Sequence, residues 1–326
     1  LHLVLNNFFS SITNIFYMTP VFAKAYGPAE VHFQLEDCDA RVEPRKVLMC
    51  TPEFYTIVDV KNVHMQNQKG NVNKEKANIQ WDAIRNTYLA FKNQKLIDEV
   101  YVIDGVDSLE DMVFVANQSF PWVMWNGEKI ALMSRMRFEN RQNEIPYIED
   151  FYKDHGYKIV ELQSKYHFEG MGDMVAHPGK RLLYGGYGFR SEKQVYDEIS
   201  RTLDVPIITL ELINENHYHL DTCFLPLNHT EVLIAPDAFT PESIAIIRRM
   251  FEGVYEIPDT EAIEGFACNA HIIYGANRAT SGAIIQKNNP VALNIIQQSA
   301  NIVAEVETSE YIKSGGSVFC LKMMVY

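Results

Sequence analysis

Three short stretches carry the side chains that could make or break a covalent bond. Near the end of the chain, Gly315-Gly316-Ser317-Val318-Phe319-Cys320-Leu321 sets a cysteine just beyond paired glycines, which let a ligand approach the backbone closely. In Tyr218-His219-Leu220-Asp221-Thr222 an imidazole and a carboxylate stand two residues apart, on one face if the chain is extended. In Phe168-Glu169-Gly170-Met171-Gly172-Asp173 two carboxylates lie four residues apart among glycines. Together these supply the parts for cysteine-dependent attack on an amidine carbon. A thiolate is the nucleophile, carboxylates grip a planar cation, and an acid releases ammonia. Each stretch also has a plainer reading: a small hydrophobe in a buried strand over 318–325, a polar surface strand, and a solvated turn. A papain-like protease needs its cysteine early and its histidine far downstream, whereas the order here is Glu, Asp, His, Asp, Cys.

Composition narrows the classes. The chain has 326 residues, 47% of them hydrophobic and 22% charged, as in a globular protein with a full apolar core. A net charge of -13 argues against a nucleic-acid partner and suits a small cationic substrate. Five cysteines (Cys38, Cys50, Cys223, Cys268 and Cys320) form no CxxC pair, which speaks against a disulfide framework or a zinc site and favours a reduced, cytoplasmic setting. Residues 1–17 are largely apolar but too short and too rich in asparagine and serine for a membrane span. Ala23-Lys24-Ala25 has the form of a signal cleavage site, yet no Lys or Arg precedes the apolar run. Residues 1–44 are therefore set apart as an extension or leader, and 45–326 are read as one domain.

Periodicity then predicts the elements that must position the chemistry. Short apolar runs mark strands at 47–50, 100–103, 113–116, 129–133, 158–162, 181–188, 207–210 and 231–235, with a last one within 318–325. Asn126-Gly127 predicts a hairpin. Helical spacing marks 80–94, a helix follows Pro146, Ser191 is expected to cap one running to Leu203, and others open at Pro241 and Pro290. Many strand pairs are joined by short turns rather than helices. That excludes a regular doubly wound sheet and suggests several two-strand-plus-helix units around one core.

The order of motifs resembles the guanidino-group-modifying enzymes of the pentein superfamily. The matching pieces include Asn62-x-x-Met65, Val113-Phe114-x-Ala116-Asn117, Arg141-Gln142-x-Glu144, the Glu169 and His219 stretches, Gly186-Tyr187-Gly188-Phe189-Arg190-Ser191, Phe266-Ala267-Cys268-Asn269-Ala270 and the Cys320 stretch. Within that superfamily the chain looks most like the arginine dihydrolases. The resemblance implies an α/β propeller of five ββαβ-like units around a central site. It implies Cys320 as nucleophile, His219 as general acid and base, and Glu169 and Asp221 as holders of the guanidinium. Asn62, Asn117, Arg141, Asp173 and Asn269 would bind substrate, with Arg141 on its carboxylate. No metal or cofactor is implied. The expected partner is a small guanidino compound such as L-arginine, without nucleic acid or membrane, and a homo-oligomer is compatible. Deiminases usually carry aspartate where this chain has Asn117. A neutral amide both donates and accepts, which suits a site that acts first on a cation and then on a ureido product. Arginine deiminase, dimethylarginine dimethylaminohydrolase and amidinotransferase remain open, as does a non-catalytic arginine-binding module. Gln118-Ser119 and the tryptophans Trp122 and Trp125 depart from the dihydrolase pattern and bear on substrate identity.

Overall fold

The structure is a computed structural model that describes residues 21–274 and 281–326. Its strands form five small sheets. Strand β1 (Ala25–Tyr26) is an addition discussed below. Strand β2 (Lys46–Cys50) runs parallel to β3 (Glu99–Ile103) and antiparallel to the last strand, β16 (Met323–Val325). The second sheet orders β4 (Ser119–Val123), β5 (Lys129–Met133) and β6 (Lys158–Val160), and the third β7 (Met174–Ala176), β8 (Leu183–Tyr187) and β9 (Ile207–Glu211). The fourth has β10 (Phe224–Pro226), β11 (Glu231–Ile234) and β12 (Gly253–Glu256), and the fifth β13 (His271–Tyr274), β14 (Ser281–Gln286) and β15 (Ile302–Val306).

In each sheet the middle strand is antiparallel to one neighbour and parallel to the other. The antiparallel pair needs only a short connection, while the parallel pair needs a crossover. Helices Lys74–Asn93, Ile145–Asp154, Val195–Leu203, Pro241–Met250 and Pro290–Ser299 supply the five crossovers. The unit is thus strand, strand, helix, strand, and the first unit takes its leading strand from the end of the chain. Crossover helices bury one face against their sheets. Ala77, Trp81, Ile84, Tyr88 and Phe91 of the first helix pack with Val47, Met49 and Ile284, at the spacing an amphipathic helix requires.

Several expectations are corrected. The first helix begins at Lys74, because Asn73 accepts the N–H of Lys76 and caps it ahead of the first apolar repeat. Residues 113–116 are not a strand; Val115–Asn117 is a 3-10 turn leading into β4. Only Met323–Val325 of 318–325 is strand, so Cys320 lies on the turn before it. Ser191 does not cap the helix at Val195–Leu203; its hydroxyl instead accepts the N–H of Glu169 at 3.0 Å. The hairpin at Asn126-Gly127 forms as expected, with Gly127 in the left-handed region.

The segment before residue 45 is part of the folded body from Val21 onward. Strand β1 pairs in parallel with β9, Ala25 against Ile207 and Tyr26 against Ile208. Tyr26, Val31, Phe33 and Cys38 are buried in the largest apolar cluster, and Tyr26 meets Phe33 edge-on at 5.2 Å. Arg249 donates to the carbonyls of Val31 and Phe33 and fastens the segment to the helix Pro241–Met250. Residues 1–20, including the predicted apolar run, lie outside the described residues. Replacing Tyr26 with alanine removes a fully buried ring and should cost about 3–5 kcal/mol. A denaturant midpoint equal to wild type would show that the segment contributes nothing to the fold.

Candidate functional site

One turn precedes the leading strand of every unit, and each of these turns carries a candidate residue. Asn117 ends the turn before β4, and a single helical turn before β7, Gly170–Asp173, has Glu169 at its N-cap and Asp173 as its last residue. His219 and Asp221 belong to the 3-10 turn Leu220–Thr222 before β10, not to a strand, with His219 at its N-cap. Asn269 ends the turn Ala267–Asn269 before β13, and Cys320 lies three residues before β16.

The turns are fastened to one another. Ala116 N–H donates to the carbonyl of Cys320 at 3.3 Å. The helical turn at Gly170 sits so close to the Asn117 turn that a Cβ on Gly170 would lie 2.5 to 2.8 Å from the carbonyls of Ser119, Asn117 and Ala116. Gly170 also has a φ of +55°, so glycine is required twice over. Asp173 Oδ1 accepts from Leu220 N–H at 3.1 Å, Asn269 Nδ2 donates to the carbonyl of Asp221 at 3.1 Å, and Phe319 N–H donates to the carbonyl of Asn269 at 2.8 Å. The five turns therefore form a closed ring.

Two clusters stand in that ring. In the first, Cys320 Sγ donates to Asp221 Oδ2 at 3.2 Å and receives Asn269 Nδ2 at 3.2 Å. Burial pushes the thiol pKa well up, and the neighbouring Asp221 carboxylate pushes it further. Burial also raises the Asp221 pKa to about 6, against the pull of His219. In the second cluster His219 Nε2 meets Glu169 Oε2 at 2.7 Å, and Arg190 Nη1 donates to the same oxygen at 2.9 Å. Burial raises the Glu169 pKa, but Arg190 and His219 outweigh it and hold the carboxyl well below its usual range. The imidazole is thus oriented by a carboxylate that stays ionised, the arrangement a general acid and base needs.

Four residues expected to touch substrate are instead engaged in the scaffold. Asn269 accepts from Ser317 N–H and Cys320 N–H through Oδ1 and spends Nδ2 on Asp221 and Cys320, so it clamps the Cys320 turn. Both oxygens of Asp173 accept backbone N–H groups, from Leu220 and Ser191. Arg141 is buried, with its guanidinium on Glu144, Asn117 Oδ1 and the carbonyls of Asp111 and Phe114. A substrate carboxylate would have to break that lattice. Asn62 caps the turn Val63–Met65 and donates to the carbonyl of Ser314, beside the glycines of the Cys320 stretch.

Asn117 differs from these. Because arginine only donates, the amide atom facing Arg141 must be the oxygen. That leaves Nδ2 turned toward Gly172, with no partner among the described residues. The equal readiness to donate and accept expected of this amide is resolved: toward the site it is a donor. Arg190 stands in the legible Gly186–Ser191 motif, which by itself gives it no role. It lies between the rings of Phe138 and Tyr218, at 4.8 and 4.6 Å, and nothing in a linear sequence aims it at Glu169.

A family model for N,N-dimethylarginine dimethylhydrolase of eukaryotic type matches residues 51–326. The chain belongs to that family, within the pentein superfamily. It is 31% identical over 290 residues to the bifunctional arginine dihydrolase/ornithine cyclodeaminase ArgZ of a Synechocystis species, and 32% identical over 285 residues to the same kind of protein, AgrE, of a Nostoc species. Those matches take in 86% of this chain but only 37% and 38% of the relatives, so the chain spans well under half their length. An N(G),N(G)-dimethylarginine dimethylaminohydrolase from Mycobacterium tuberculosis is 28% identical, with 86% of each chain covered. The solved N-terminal domain of ArgZ with product bound matches at TM-score 0.76 and 30% identity, over 86% of this chain and 97% of that one. A dimethylarginine dimethylaminohydrolase structure, at TM-score 0.69 and 20% identity, shares the fold. Among the described residues of this pentein chain, no helix is long and apolar enough to cross a membrane, and no group of three acidic, histidine or cysteine side chains could hold a metal ion.

Two outcomes test this geometry. A Cβ on Gly172 would collide with Asn117 Nδ2 and come within 3.1 Å of His219 Nδ1. Gly172→Ala should lower turnover about 100-fold while the protein stays folded; unchanged turnover would place the reacting atoms elsewhere. The lowered Glu169 pKa means its pairing stabilises the fold above the unfolded value of 4.5 and is lost as the pH falls below it. The gap in denaturation midpoint between wild type and Glu169→Gln should therefore narrow on acidification below pH 4.5. A gap that widens would contradict the ion pairing.

Proposed function

We propose that this chain is a cysteine-dependent hydrolase acting on a guanidino group, with Cys320 as nucleophile and His219 as general acid and base. The thiolate attacks the guanidinium carbon and a tetrahedral intermediate forms. His219, held by Glu169, protonates the departing nitrogen, and a thiouronium remains on sulfur. His219 then takes a proton from water, which attacks the same carbon and frees the enzyme. Glu169 and Asp221 supply the anionic charge that fits a planar cation. The chain from Val21 on is read as one catalytic domain, and the closed ring of turns supports reading the five sheets as blades of a propeller about this site.

The substrate proposed is L-arginine, converted to ornithine, carbon dioxide and two ammonia. The observation that carries it is the free Nδ2 of Asn117, whose Oδ1 is fixed by Arg141. An amide N–H cannot accept from a guanidinium, but it does donate to a ureido carbonyl. It would therefore hold the first product in place for a second round. The family model favours a second reading, dimethylarginine converted to citrulline and dimethylamine. Product analysis separates them: two ammonia and ornithine per arginine support the first reading, one ammonia and citrulline leave a deiminase, and dimethylamine release supports the second. Cys320→Ser should abolish turnover in every case. Asn117→Asp replaces the donor with an acceptor and should shift the product toward citrulline; unaltered ornithine output would remove Asn117 from the account.

A further inference from the structure

Behind the nucleophile lies a cavity of about 110 Å³ with largely apolar walls, among them Phe120, Val175, Phe224, Ile272 and Met324. Two ionisable side chains in its lining each have a polar atom without a hydrogen-bond partner among the described residues. Lys322, two residues after Cys320, is fully buried, and its Nζ has no hydrogen-bond partner among the described residues. It lies over the ring of Phe319, 3.1 Å from the centroid. Asp221 lines the same cavity, and while its Oδ2 holds the Cys320 thiol, its Oδ1 is unpartnered. A buried amine without a hydrogen-bond partner is costly, and more so once it is charged, so its presence calls for a compensating polar interaction.

The other polar groups around the cavity do not supply one. Glu43 is paired with Arg41. His271 Nδ1 is engaged by the hydroxyl of Tyr88 at 2.9 Å, and burial keeps this imidazole neutral. The hydroxyl of Tyr326 accepts from Arg41, and burial raises the pKa of the Cys268 thiol. Asp221 is the anionic group left for Lys322 to answer.

We propose that Lys322 positions charge for the nucleophile: acting through Asp221, its amine takes up the proton that leaves Cys320, so that the reactive state is a thiolate–ammonium pair. In this step the S–H bond breaks and its electrons stay on sulfur. Oδ2 of the Asp221 carboxylate receives the proton and gives that same proton up again toward the amine, so the carboxylate is restored and the neutral amine becomes an ammonium. The cavity has room for a water molecule, which both accepts and donates, to carry that proton from the Asp221 carboxyl to Nζ. No oxidant or further reactant is needed. Burial pulls the Lys322 pKa down to about 7, with Asp221 and Cys320 pulling it back up, so the amine changes charge in the range where the enzyme would work.

The inference rests on Cys320 being the nucleophile, so its test uses no substrate. Thiolate ultraviolet absorbance is titrated on the full chain with Cys320→Ser as blank. Alkylation of Cys320 by iodoacetamide is followed in parallel by peptide mass mapping. In Lys322→Met the thiolate should appear about one pH unit higher or more, and alkylation at neutral pH should slow about tenfold. Lys322→Arg keeps a permanent charge and should return the titration to near its wild-type position. Folding is checked by circular dichroism, and if Lys322→Met does not fold, Lys322→Gln is read by the same criteria. A folded neutral variant with the wild-type thiol titration and alkylation rate overturns the proposal. Failure to turn over guanidino compounds would remove the substrate reading and leave this titration unaffected.

Discussion

The constraint on which the site depends is the ring of contacts joining five turns, each just ahead of the leading strand of its own sheet. Four of its links are hydrogen bonds: Ala116 to Cys320, Leu220 to Asp173, Asn269 to Asp221, and Phe319 to Asn269. The fifth is the close approach of Gly170 to the carbonyls of 116, 117 and 119. A single turn is a weak device for aiming a side chain, since its backbone has few partners of its own. When each turn is fixed by the next and the last by the first, no one of them can move without breaking two contacts. Residues more than two hundred positions apart in the chain gain the mutual rigidity usually found within one helix. That precision matters because reacting groups misplaced by an ångström lose much of their advantage.

Electrostatics divides the labour inside the ring. Glu169 stays ionised because Arg190 and His219 both face one of its oxygens, and Arg137 N–H takes the other. Asp221 has no such arginine, and burial raises its pKa toward neutrality. One carboxylate is thus a fixed anion that orients an imidazole, whereas the other is poised to exchange a proton with a thiol. The two belong to neighbouring turns, joined through Asp173, whose oxygens hold the backbone of both Ser191 and Leu220.

Much of this was legible in the chain. The thiol, imidazole and carboxylates were recognisable as types suited to one chemistry, and the structure brings Cys320 onto Asp221 and His219 onto Glu169. Helices with a clear apolar repeat were also readable. Direction is what a linear sequence does not carry. Asn269, Asp173 and Arg141 have side chains that could equally hold a substrate or a backbone, and only the fold decides that they hold Ser317, Leu220 and Glu144. Residues 113–116 looked like a strand because a short apolar run has no period of its own. In the structure it is tied down by Arg141 on the carbonyl of Phe114 and by Cys320 on Ala116. Residues 21–44 were grouped with the extension or leader, and β1, two residues long, is too short to leave a pattern.

Among the residues singled out from the sequence, satisfied and unpartnered polar atoms separate framework from candidate reaction site. Asn62, Asn269, Asp173 and Arg141 spend their polar atoms on backbone and on one another, as buried groups must if they are to stabilise anything. Within the ring and the cavity behind it, Asn117 Nδ2, His219 Nδ1, Asp221 Oδ1 and Lys322 Nζ are without partners among the described residues. A folded chain tolerates such atoms where ligand or water completes them, since each otherwise carries a desolvation penalty. Two are donors, one is an acceptor and one is a ring nitrogen that can be either. The proposed reaction, in which a cation gives up nitrogen, takes up oxygen and becomes a neutral ureido group, would use that mixture. Those framework atoms are satisfied without it, and these four unpartnered atoms are the ones the proposed reaction would use.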